Sequence, residues 1–392
     1  MSSNSSWEVK QIGEVCASIV PGRNKPKEFS GTIPWVTTPE ITSRYIPGKS
    51  QTLYLSDYWI KEAGAKKVPS GSVIMACVGD LGLVAITTEE VVLNQQLHAF
   101  VCPPSVHNEY CAYALEAQKA YMYKIASTTT IPYLNKTNCE SIRIPLPPLP
   151  EQRAIADLLS TWDEAIEKTK LLIVKKLKFY EAQLSKRLSL DVSEHIKLKK
   201  FLKEVSKRNR DLSTTQVLSV TNSKGFVRPE DQFDRQVASD NLSNYKIVSK
   251  GEYAYNPSRI NVGSIARLDG WDFGVLSPMY TVFKIKKPAE LHTDLFLHWL
   301  NSHEAKQRIK LSSQGSVRET VSFDDFCAIG FPKIDFKEQK TLAEYFNLIS
   351  AEIDTLKALS EKYKTQKRGL MQKMLTGEWR VKPEIVNQYR EA

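Results

Sequence analysis

Two basic clusters carry the side chains best suited to contact a polyanion. The first is PGRNKPK, with Arg23, Lys25 and Lys27, and the second is KKFLKEVSKRNR, which ends in Arg208 and Arg210. Arginine pairs with guanine edges, and both arginine and lysine bind phosphate oxygens. Taken alone, each cluster is equally typical of a solvated charged turn. Because GRNK and KRNR occupy comparable places in the two halves of the chain, we predict that they contact phosphates or bases.

Further candidates lie in loops that lead into strands. Arg259 and Asn261 are flanked by Pro257 and Gly263, which predicts a strand-connecting loop able to reach a nucleic-acid groove; a purely structural turn is the alternative. The loops STTT and SQGSVRET correspond in the two halves, and their small hydroxyl residues permit close approach to phosphate, although ordinary turn chemistry also explains them. The remaining candidate contacts are Thr128, Thr129, Lys224, Arg228, Ser316 and Arg318.

The patterns expected of an enzyme are missing from the sequence. The six cysteines have irregular spacings with no CxxC pair, which predicts reduced, mostly buried thiols and no metal site. The sequence NPSR at 256–259 is similar to the Asn-Pro-Pro-aromatic motif of amino-methyltransferases, but Ser258 and Arg259 remove the face that would stack on a flipped base. With no glycine-rich cofactor loop and no GxxxxGK[ST] motif either, we predict no catalytic residue.

Composition predicts a globular chain outside the membrane. Its 392 residues allow two or three domains, and 42% apolar content is enough to form real cores. The net charge of +10 is spread thinly along the sequence, which excludes a disordered basic tail. No apolar run approaches the roughly 18 residues of a membrane span, and MSSNSSWEVK does not resemble a secretory signal. We therefore expect a cytoplasmic protein with no membrane partner.

The chain contains an internal repeat. Glu151-Gln152 matches Glu338-Gln339 at an offset of 187, and the match continues as far as Leu188 and Leu375. In both segments the apolar residues recur at intervals of about four and three, the pattern of a long amphipathic helix. The predicted seam consists of Ile155, Leu159, Trp162, Ile166 and Ile173 in the first segment and of Leu342, Phe346, Ile349, Ile353 and Leu356 in the second.

A helix of about 38 residues would be roughly 57 Å long, too long to hide its apolar stripe inside a small domain. The simplest way to bury both stripes is to pack the two helices against each other, antiparallel because a whole domain separates them in sequence. The alternative is two independent helices, each lying on its own domain.

The segments outside the helices repeat as well. The pair GSVIMACVGDLGLVAI and GEYAYNPSRINVGSIA, and the pair VLNQQLHAFVC and VLSPMYTVFKI, are both typical of strand pairs. The sequence therefore predicts an α+β fold: two pseudo-repeated mixed α/β domains joined by two long antiparallel helices, in a cyclic, pseudo-two-fold arrangement. The predicted segments are a first domain at 1–150, a helix at 151–189, a second domain at 190–335, a helix at 336–376, and a tail at 377–392 that packs toward the N-terminus.

This repeated plan resembles the specificity subunit of type I restriction-modification systems over nearly the whole chain. The most telling stretches are IPLPPLPEQRAIADLL at 144–159, GLMQKMLTGEWRV at 369–381, and YNPSRINVGSIA with GVLSPMYTVF in the second half. The Glu-Gln helix entry occurs twice, which makes the resemblance specific. The second entry, FPKIDFKEQ, lacks the proline run at 147–150, so a rigid lead-in is expected only in the first half.

The resemblance implies a noncatalytic subunit that reads an asymmetric, two-part DNA sequence with one target-recognition domain per half-site. It implies double-stranded DNA as a partner, together with two methyltransferase (modification) subunits and with restriction/translocase subunits. No cofactor is expected on this chain; S-adenosylmethionine, ATP and Mg²⁺ are expected on the partner subunits. The alternatives are a helical scaffold that does not read DNA and a self-sufficient DNA methyltransferase or nuclease.

Overall fold

The computed structural model describes residues 7–22, 24–49, 51–128, 130–189, 194–231, 241–313 and 320–390. Its contacts divide the chain into two compact units. Unit 1 comprises Met1–Lys168 together with Leu359–Ala392, and unit 2 comprises Thr169–Ala358. The boundaries between the units therefore fall inside the two long helical segments, whereas the sequence divides the chain at the helix ends.

The first half of the chain consists of short strands and short helices followed by one long helix. Its strands are β1 (Glu8–Gln11), β2 (Ala17–Ile19), β3 (Ile33–Val36), β4 (Tyr45–Ile46), β5 (Tyr54–Leu55), β6 (Lys67–Val68), β7 (Val73–Ala76), β8 (Val84–Thr87), β9 (Val91–Leu93), β10 (Leu97–Val101), β11 (Ser127–Thr128), β12 (Pro132–Tyr133) and β13 (Arg143–Leu146). Its helices are α1 (Ile12–Val15), α2 (Asp57–Glu62), α3 (Asn108–Ala117), α4 (Lys119–Ile125), α5 (Lys136–Glu140) and the long α6 (Leu149–Leu188).

The second half follows the same plan. Its strands are β14 (His195–Lys197), β15 (Leu202–Val205), β16 (Ser219–Thr221), β17 (Gly225–Val227), β18 (Lys246–Ser249), β19 (Tyr253–Tyr255), β20 (Ile265–Arg267), β21 (Phe273–Leu276), β22 (Thr281–Ile285) and β23 (Gly330–Pro332). Its helices are α7 (Thr293–Asn301), α8 (His303–Ser313), α9 (Phe323–Ala328), the long α10 (Phe336–Leu375) and α11 (Pro383–Asn387). None of these described helices has both the length and the apolar character needed to cross a bilayer.

Unit 1 is built on two sheets of short strands. Their strand orders are β2-β10-β7-β8-β4 and β5-β3-β9-β6, and β1 pairs separately with β13. Strands β7, β8 and β9 are buried at every position, as expected for segments rich in valine and isoleucine that are covered on both faces. Helix α3 packs on this core through Tyr110 and Leu115, which have no exposed surface.

Unit 2 repeats the central part of this arrangement. Its main sheet has the order β15-β22-β19-β20, and β14 pairs with β23 as β1 pairs with β13. The hairpins β7–β8 and β19–β20 are both antiparallel, as their sequences predict. An aromatic cluster fills the core, in which Tyr253 stacks on Phe283 with ring centroids 5.2 Å apart. The predicted mixed α/β repeat is thus confirmed.

Each unit contains a pair of antiparallel helical segments. In unit 1, the start of α6 packs on the end of α10, so that Ile155 shares a core with Leu375. In unit 2, Tyr180 of α6 meets Phe346 of α10 edge-on at 5.9 Å, and Lys176 pairs with Glu352 at 2.7 Å. The predicted antiparallel packing is confirmed, and the alternative of two helices that each lie on their own domain is wrong.

The predicted seam residues are buried or half-buried. Most are at most 7% exposed, because a 40-residue helix of about 60 Å needs a continuous apolar stripe to be held along its length. These are Ile155, Leu159, Ile166, Leu342, Phe346, Ile349 and Ile353. The half-buried members are Trp162, Ile173 and Leu356. Trp162 packs edge-on against Tyr363 with centroids 5.7 Å apart, inside unit 1.

The repeated Glu-Gln pairs explain how both long helices begin. In unit 1, Gln152 accepts a hydrogen bond from the backbone N–H of His107 at 2.9 Å and donates to the carbonyl of Pro147 at 2.8 Å. In unit 2, Gln339 accepts from the backbone N–H of His292 at 2.8 Å and donates to two carbonyls at 3.0 Å. We call Gln152 and Gln339 the entry glutamines, since each fixes the start of a long helix to its own unit.

The C-terminal segment lies against the N-terminal end of unit 1. The guanidinium of Arg380 lies over the ring of Trp7 at 4.9 Å and donates two hydrogen bonds of 2.7 Å to the Glu151 carboxylate. The Tyr389 hydroxyl donates to the Asp157 carboxylate at 2.6 Å. Glu151 is only 4% exposed, so its charge depends on Arg380 for compensation.

Candidate nucleic-acid interface

Several predicted contact residues cannot be placed. Arg23, Thr129, Ser316 and Arg318 lie outside the described residues. The backbone of Thr128 pairs with Pro132 in the short β11–β12 ladder.

The basic segment of unit 1 borders an open cavity whose lining combines polar side chains with the ring of Trp35. Asn24 and Lys25 line this cavity of about 320 Å³ together with Trp35, Thr37 and the turn at 94–96. Lys25 is exposed, and its ammonium group lies 5.9 Å from the ring centroid of Phe29; Lys27 is exposed as well. Amide groups beside a lysine are the donors and acceptors that read base edges and bind phosphate, so this cavity is a candidate contact surface in unit 1.

The turn Asn94–Gln96 joins β9 to β10 and carries the amides of this cavity. The backbone N–H of Leu97 donates to the carbonyl of Asn94 at 3.2 Å and closes the turn. The Asn94 side chain accepts from the backbone N–H of Gln96 at 3.1 Å and donates to the Gln96 side chain at 3.3 Å. Both Gln95 and Gln96 are exposed, so the turn presents amide groups to solvent on a fixed backbone.

Unit 2 has the same turn with other side chains. The backbone N–H of Tyr280 donates to the carbonyl of Ser277 at 3.1 Å, which closes the turn at 277–279 between β21 and β22. Met279 stands where unit 1 has Gln96 and is 59% exposed. The ammonium group of Lys246 donates to the Tyr280 carbonyl at 2.7 Å, and burial lowers the pKa of Lys246. A cation therefore adjoins this turn too.

Part of the second basic cluster lies beside this turn in unit 2. Arg208 forms an isolated β-bridge with Lys246, and its guanidinium donates to the carbonyl of Asn244 at 2.8 Å. Both Arg208 and Arg210 are exposed. Arg208 therefore lies beside Lys246, the residue whose ammonium group contacts the turn. The pairing between Arg208 and Lys246 is made by their backbones.

The other candidates of unit 2 lie on two adjacent loops. The backbone N–H of Lys224, in the β16–β17 hairpin, donates to the hydroxyl of Thr221. Gly263 ends the 260–262 turn with a φ of 95°, in the left-handed region that favours glycine, and packs near Asn222 of the hairpin. The exposed Arg259 precedes that turn, and the buried Oδ1 of Asn261 within it has no hydrogen-bond partner in the described part of the chain. Arg228 is exposed beside Glu230, with a separation of 3.9 Å.

The cysteines form a group that their spacing did not predict. The thiol sulfurs of Cys16, Cys102 and Cys111 lie within 4.8 Å of one another in unit 1. Cys16 and Cys102 are 3.8 Å apart, and all six cysteines are free thiols. The predicted reduced, mostly buried thiols are confirmed. The grouping was missed because β2, β10 and α3 bring together residues that are far apart in sequence.

Comparison with known proteins agrees with the repeated plan. Residues 4–176 match the family model described as the type I restriction modification DNA specificity domain. The chain is 28% identical over 170 residues to the specificity subunit of the type I restriction enzyme MjaIX of Methanocaldococcus jannaschii, a match that covers 42% of this chain and 39% of that relative. It is 23% identical over 421 residues to the MjaVIII specificity subunit of the same organism, covering 96% of this chain and 93% of that one. The first part of the chain thus matches the type I DNA specificity domain, and nearly the whole chain is similar to a type I specificity subunit.

Solved structures from type I restriction-modification systems share the fold. The S subunit of a type I restriction-modification system from M. genitalium superposes with a TM-score of 0.59 at 17% identity, covering 96% of this chain and 97% of that chain. A chain from a structural study of type I complex assembly and conformational transition has the same TM-score at 16% identity, with coverage of 96% and 99%.

The sequence analysis did not identify the matched turns at 94–96 and 277–279 as candidate contact sites. It aligned VLNQQLHAFVC with VLSPMYTVFKI but used the match only as evidence for a repeat. The signal was available in that alignment, since Asn94-Gln95-Gln96 stands opposite Ser277-Pro278-Met279 between segments that otherwise correspond. A divergent turn between matched strands is where two copies of one scaffold are expected to differ in what they bind.

Proposed function

We propose that this chain reads an asymmetric, two-part DNA sequence, with one unit per half-site. The observation that carries the proposal is the pair of matched turns, each adjoining a basic residue and each presenting different side chains: amides at 94–96 and an exposed Met279 at 277–279. Two copies of one scaffold with different surface chemistry would read different half-sites. The segments 1–150 and 190–335 would be the target-recognition domains.

The long helices would set the gap between the half-sites. Each has 40 residues and contributes to both units, and a continuous α-helix resists bending over this length. Successive major-groove faces recur about every 34–36 Å along DNA, so the spacer length limits which gaps two reading domains can serve. We expect a fixed number of unread base pairs between the two half-sites.

The same chain would recruit two methyltransferase subunits and, through them, restriction/translocase subunits that use S-adenosylmethionine, ATP and Mg²⁺. Support comes from apolar side chains of α6 that are 39–60% exposed, a feature of partner-binding surfaces. They are Leu171, Leu172, Val174, Leu177 and Phe179. Two aromatic side chains of the same helix, Trp162 and Tyr180, instead pack on Tyr363 and Phe346. The complex would work on double-stranded DNA in the cytoplasm.

The decisive experiment is to express this chain with its modification subunit in a host and to sequence the methylated genome. The proposal expects one enriched motif made of two unlike half-sites separated by a constant gap. The control omits this chain, and methylation at the motif should then disappear. Sequence-independent binding without any enriched motif would favour the scaffold, and methyl transfer by the purified chain alone would favour an enzyme; either result would overturn the proposal.

A further inference from the structure

The polarity of the Gln96 amide is fixed by its neighbours. We propose that Gln96 presents hydrogen-bond donors, not an acceptor, to the DNA and that it thereby selects guanine at one position of the half-site read by unit 1. This inference rests on the proposed function and adds to it a named residue, a named atom and a base. It depends on three hydrogen bonds, of which the first has a backbone N–H as its donor and fixes the direction of the other two.

The first bond determines the orientation of Asn94. The backbone N–H of Gln96 lies 3.1 Å from one terminal atom of the Asn94 side chain. A backbone N–H can only donate, so that terminal atom must be the oxygen Oδ1. The other terminal atom is then the nitrogen Nδ2, which can only donate. The orientation of this amide therefore follows from the backbone and does not depend on how oxygen and nitrogen are assigned.

The second and third bonds determine the orientation of Gln96. Nδ2 of Asn94 lies 3.3 Å from a terminal atom of the Gln96 side chain, and because Nδ2 donates, that atom must be the acceptor Oε1. The hydroxyl of Thr38 donates to the same oxygen at 3.1 Å. Both lone pairs of Oε1 are thus used inside the protein. Nε2 has no hydrogen-bond partner within the described part of the chain, and Gln96 is exposed beside Lys25 at the cavity.

An amide restricted in this way reads a different base from a free glutamine. A free amide recognises adenine by donating to N7 while accepting from the N6 amino group. Gln96 cannot accept, because Oε1 is already occupied. Guanine presents two acceptors, N7 and O6, on its major-groove edge, and the N–H groups of Nε2 match them. Lys25 at the same cavity adds a cationic donor of the kind that guanine attracts.

The test uses two exposed glutamines of unit 1, of which one belongs to this network. In Gln96→Glu the carboxylate keeps the bonds from Asn94 and Thr38 but loses the outward N–H groups. Gln366→Glu introduces the same charge on the exposed surface of α10, at a residue that does not line the cavity. Each variant is assembled with the modification subunit, and its methylated motif is compared with that of the original chain.

We expect Gln96→Glu to reduce selectivity at one G·C pair of one half-site by about 10- to 100-fold and Gln366→Glu to leave the motif unchanged. Replacing that guanine by 7-deazaguanine in a synthetic duplex should weaken methylation by the original chain and not by Gln96→Glu. An affected position that is an A·T pair, or equal effects of the two variants, would overturn the inference. If the original chain itself gives no motif, the proposed function fails instead.

A second variant reverses the polarity. Asn94→Asp keeps the bond from the Gln96 backbone but replaces the donor Nδ2 by an acceptor, so the Gln96 amide should rotate and turn Oε1 outward. The same position should then change its preference from guanine toward adenine, whose N6 amino group donates. Retained guanine selectivity in a folded Asn94→Asp complex would contradict the proposed network.

Discussion

The turn Asn94–Gln96 in unit 1 and the turn at 277–279 in unit 2 share a backbone and differ in chemistry. Each is closed by a hydrogen bond of similar length, 3.2 Å and 3.1 Å, and each precedes a central strand of its sheet. One presents amides to solvent, and the other presents the thioether of Met279. The comparison teaches that strand pairing sets the turn geometry, while the exposed side chains are free to diverge.

The helix entries show the same division between shared and divergent parts. The entry glutamines make matching hydrogen bonds in both units. Their neighbouring glutamates do not correspond in environment, because Glu151 is buried against Arg380 whereas Glu338 is exposed. Groups that hold the scaffold together are therefore repeated, and groups that adapt one unit to its surroundings are not. Four measurements can break or sharpen this comparison.

The largest expected effect on stability concerns the entry glutamines, which both units share. Gln152→Leu and Gln339→Leu should each lower the free energy of unfolding by about 2–5 kcal/mol, because each leaves buried backbone groups without partners. Denaturant unfolding measures both values. Gln366→Leu, on the exposed surface of α10, should change stability by no more than about 0.5 kcal/mol. A large loss in only one unit would break the comparison.

A buried histidine makes unit 1 sensitive to acid. Burial lowers the pKa of His98 to about 4, and its Nε2 lies 2.8 Å from the Ser18 hydroxyl; the matching position in unit 2 is Thr281, which cannot titrate there. A lowered pKa favours the neutral form in the folded state. The free energy of unfolding therefore keeps its full value above the unfolded-state pKa of histidine, about 6.5. It falls by up to about 3 kcal/mol as the pH decreases toward 4, because the unfolded state binds a proton that the buried His98 does not.

Denaturant unfolding between pH 7 and pH 4 measures this dependence. His98→Thr, which installs the residue of unit 2, should flatten the curve, although the variant will be less stable at neutral pH. His303→Thr changes an exposed histidine and should leave the shape of the curve as it is. An equally steep acid loss in His98→Thr would show that other groups cause it.

Because Glu151 is buried and Glu338 is exposed, we expect a loss of stability only when the partner of Glu151 is removed. Arg380→Ala leaves the Glu151 carboxylate buried without its partner and should cost about 2 kcal/mol, less than a fully buried pair because the Arg380 side chain is 40% exposed. Glu338→Ala should have little effect. Thermal or denaturant unfolding compares them, and deletion of residues 377–392 should lower stability at least as much as Arg380→Ala. Unchanged stability after the deletion would contradict a structural role for the tail.

The smallest effect concerns the divergent turns themselves. Met279→Ala removes an exposed apolar group that is suited to contact a thymine methyl, and we expect a loss of about 1 kcal/mol in discrimination at one position of the unit 2 half-site. The methylated motif of the assembled complex shows the change. Exposed Leu311→Ala on α8 is the control. Altered reading in the half-site affected by Gln96→Glu would mean that the two turns do not serve different half-sites.

Much of the fold could be predicted because it depends on periodic patterns along the chain. The apolar spacing from Ile155 to Ile173 identifies a long helix, and the matching spacing after Leu342 identifies its counterpart. The antiparallel packing of the helical segments followed from the length of their stripes. The contacts of Trp162 and Tyr180 could not be predicted in this way. An aromatic side chain on a helix can be covered by a partner protein or by the same chain, and here Tyr363 and Phe346 pack against these two residues.

The sequence by itself determined that this protein is a repeat of mixed α/β segments and long helices, because hydrophobic periodicity and internal identity are local properties that can be read along one chain. Only the tertiary structure decided which polar atoms remain available. The Oε1 atom of Gln96 is fully occupied only because Thr38, 58 residues away, also bonds to it, and the three grouped thiols come from separate elements. Hydrogen-bond polarity and side-chain exposure are set by neighbours in space, and sequence spacing does not specify those neighbours.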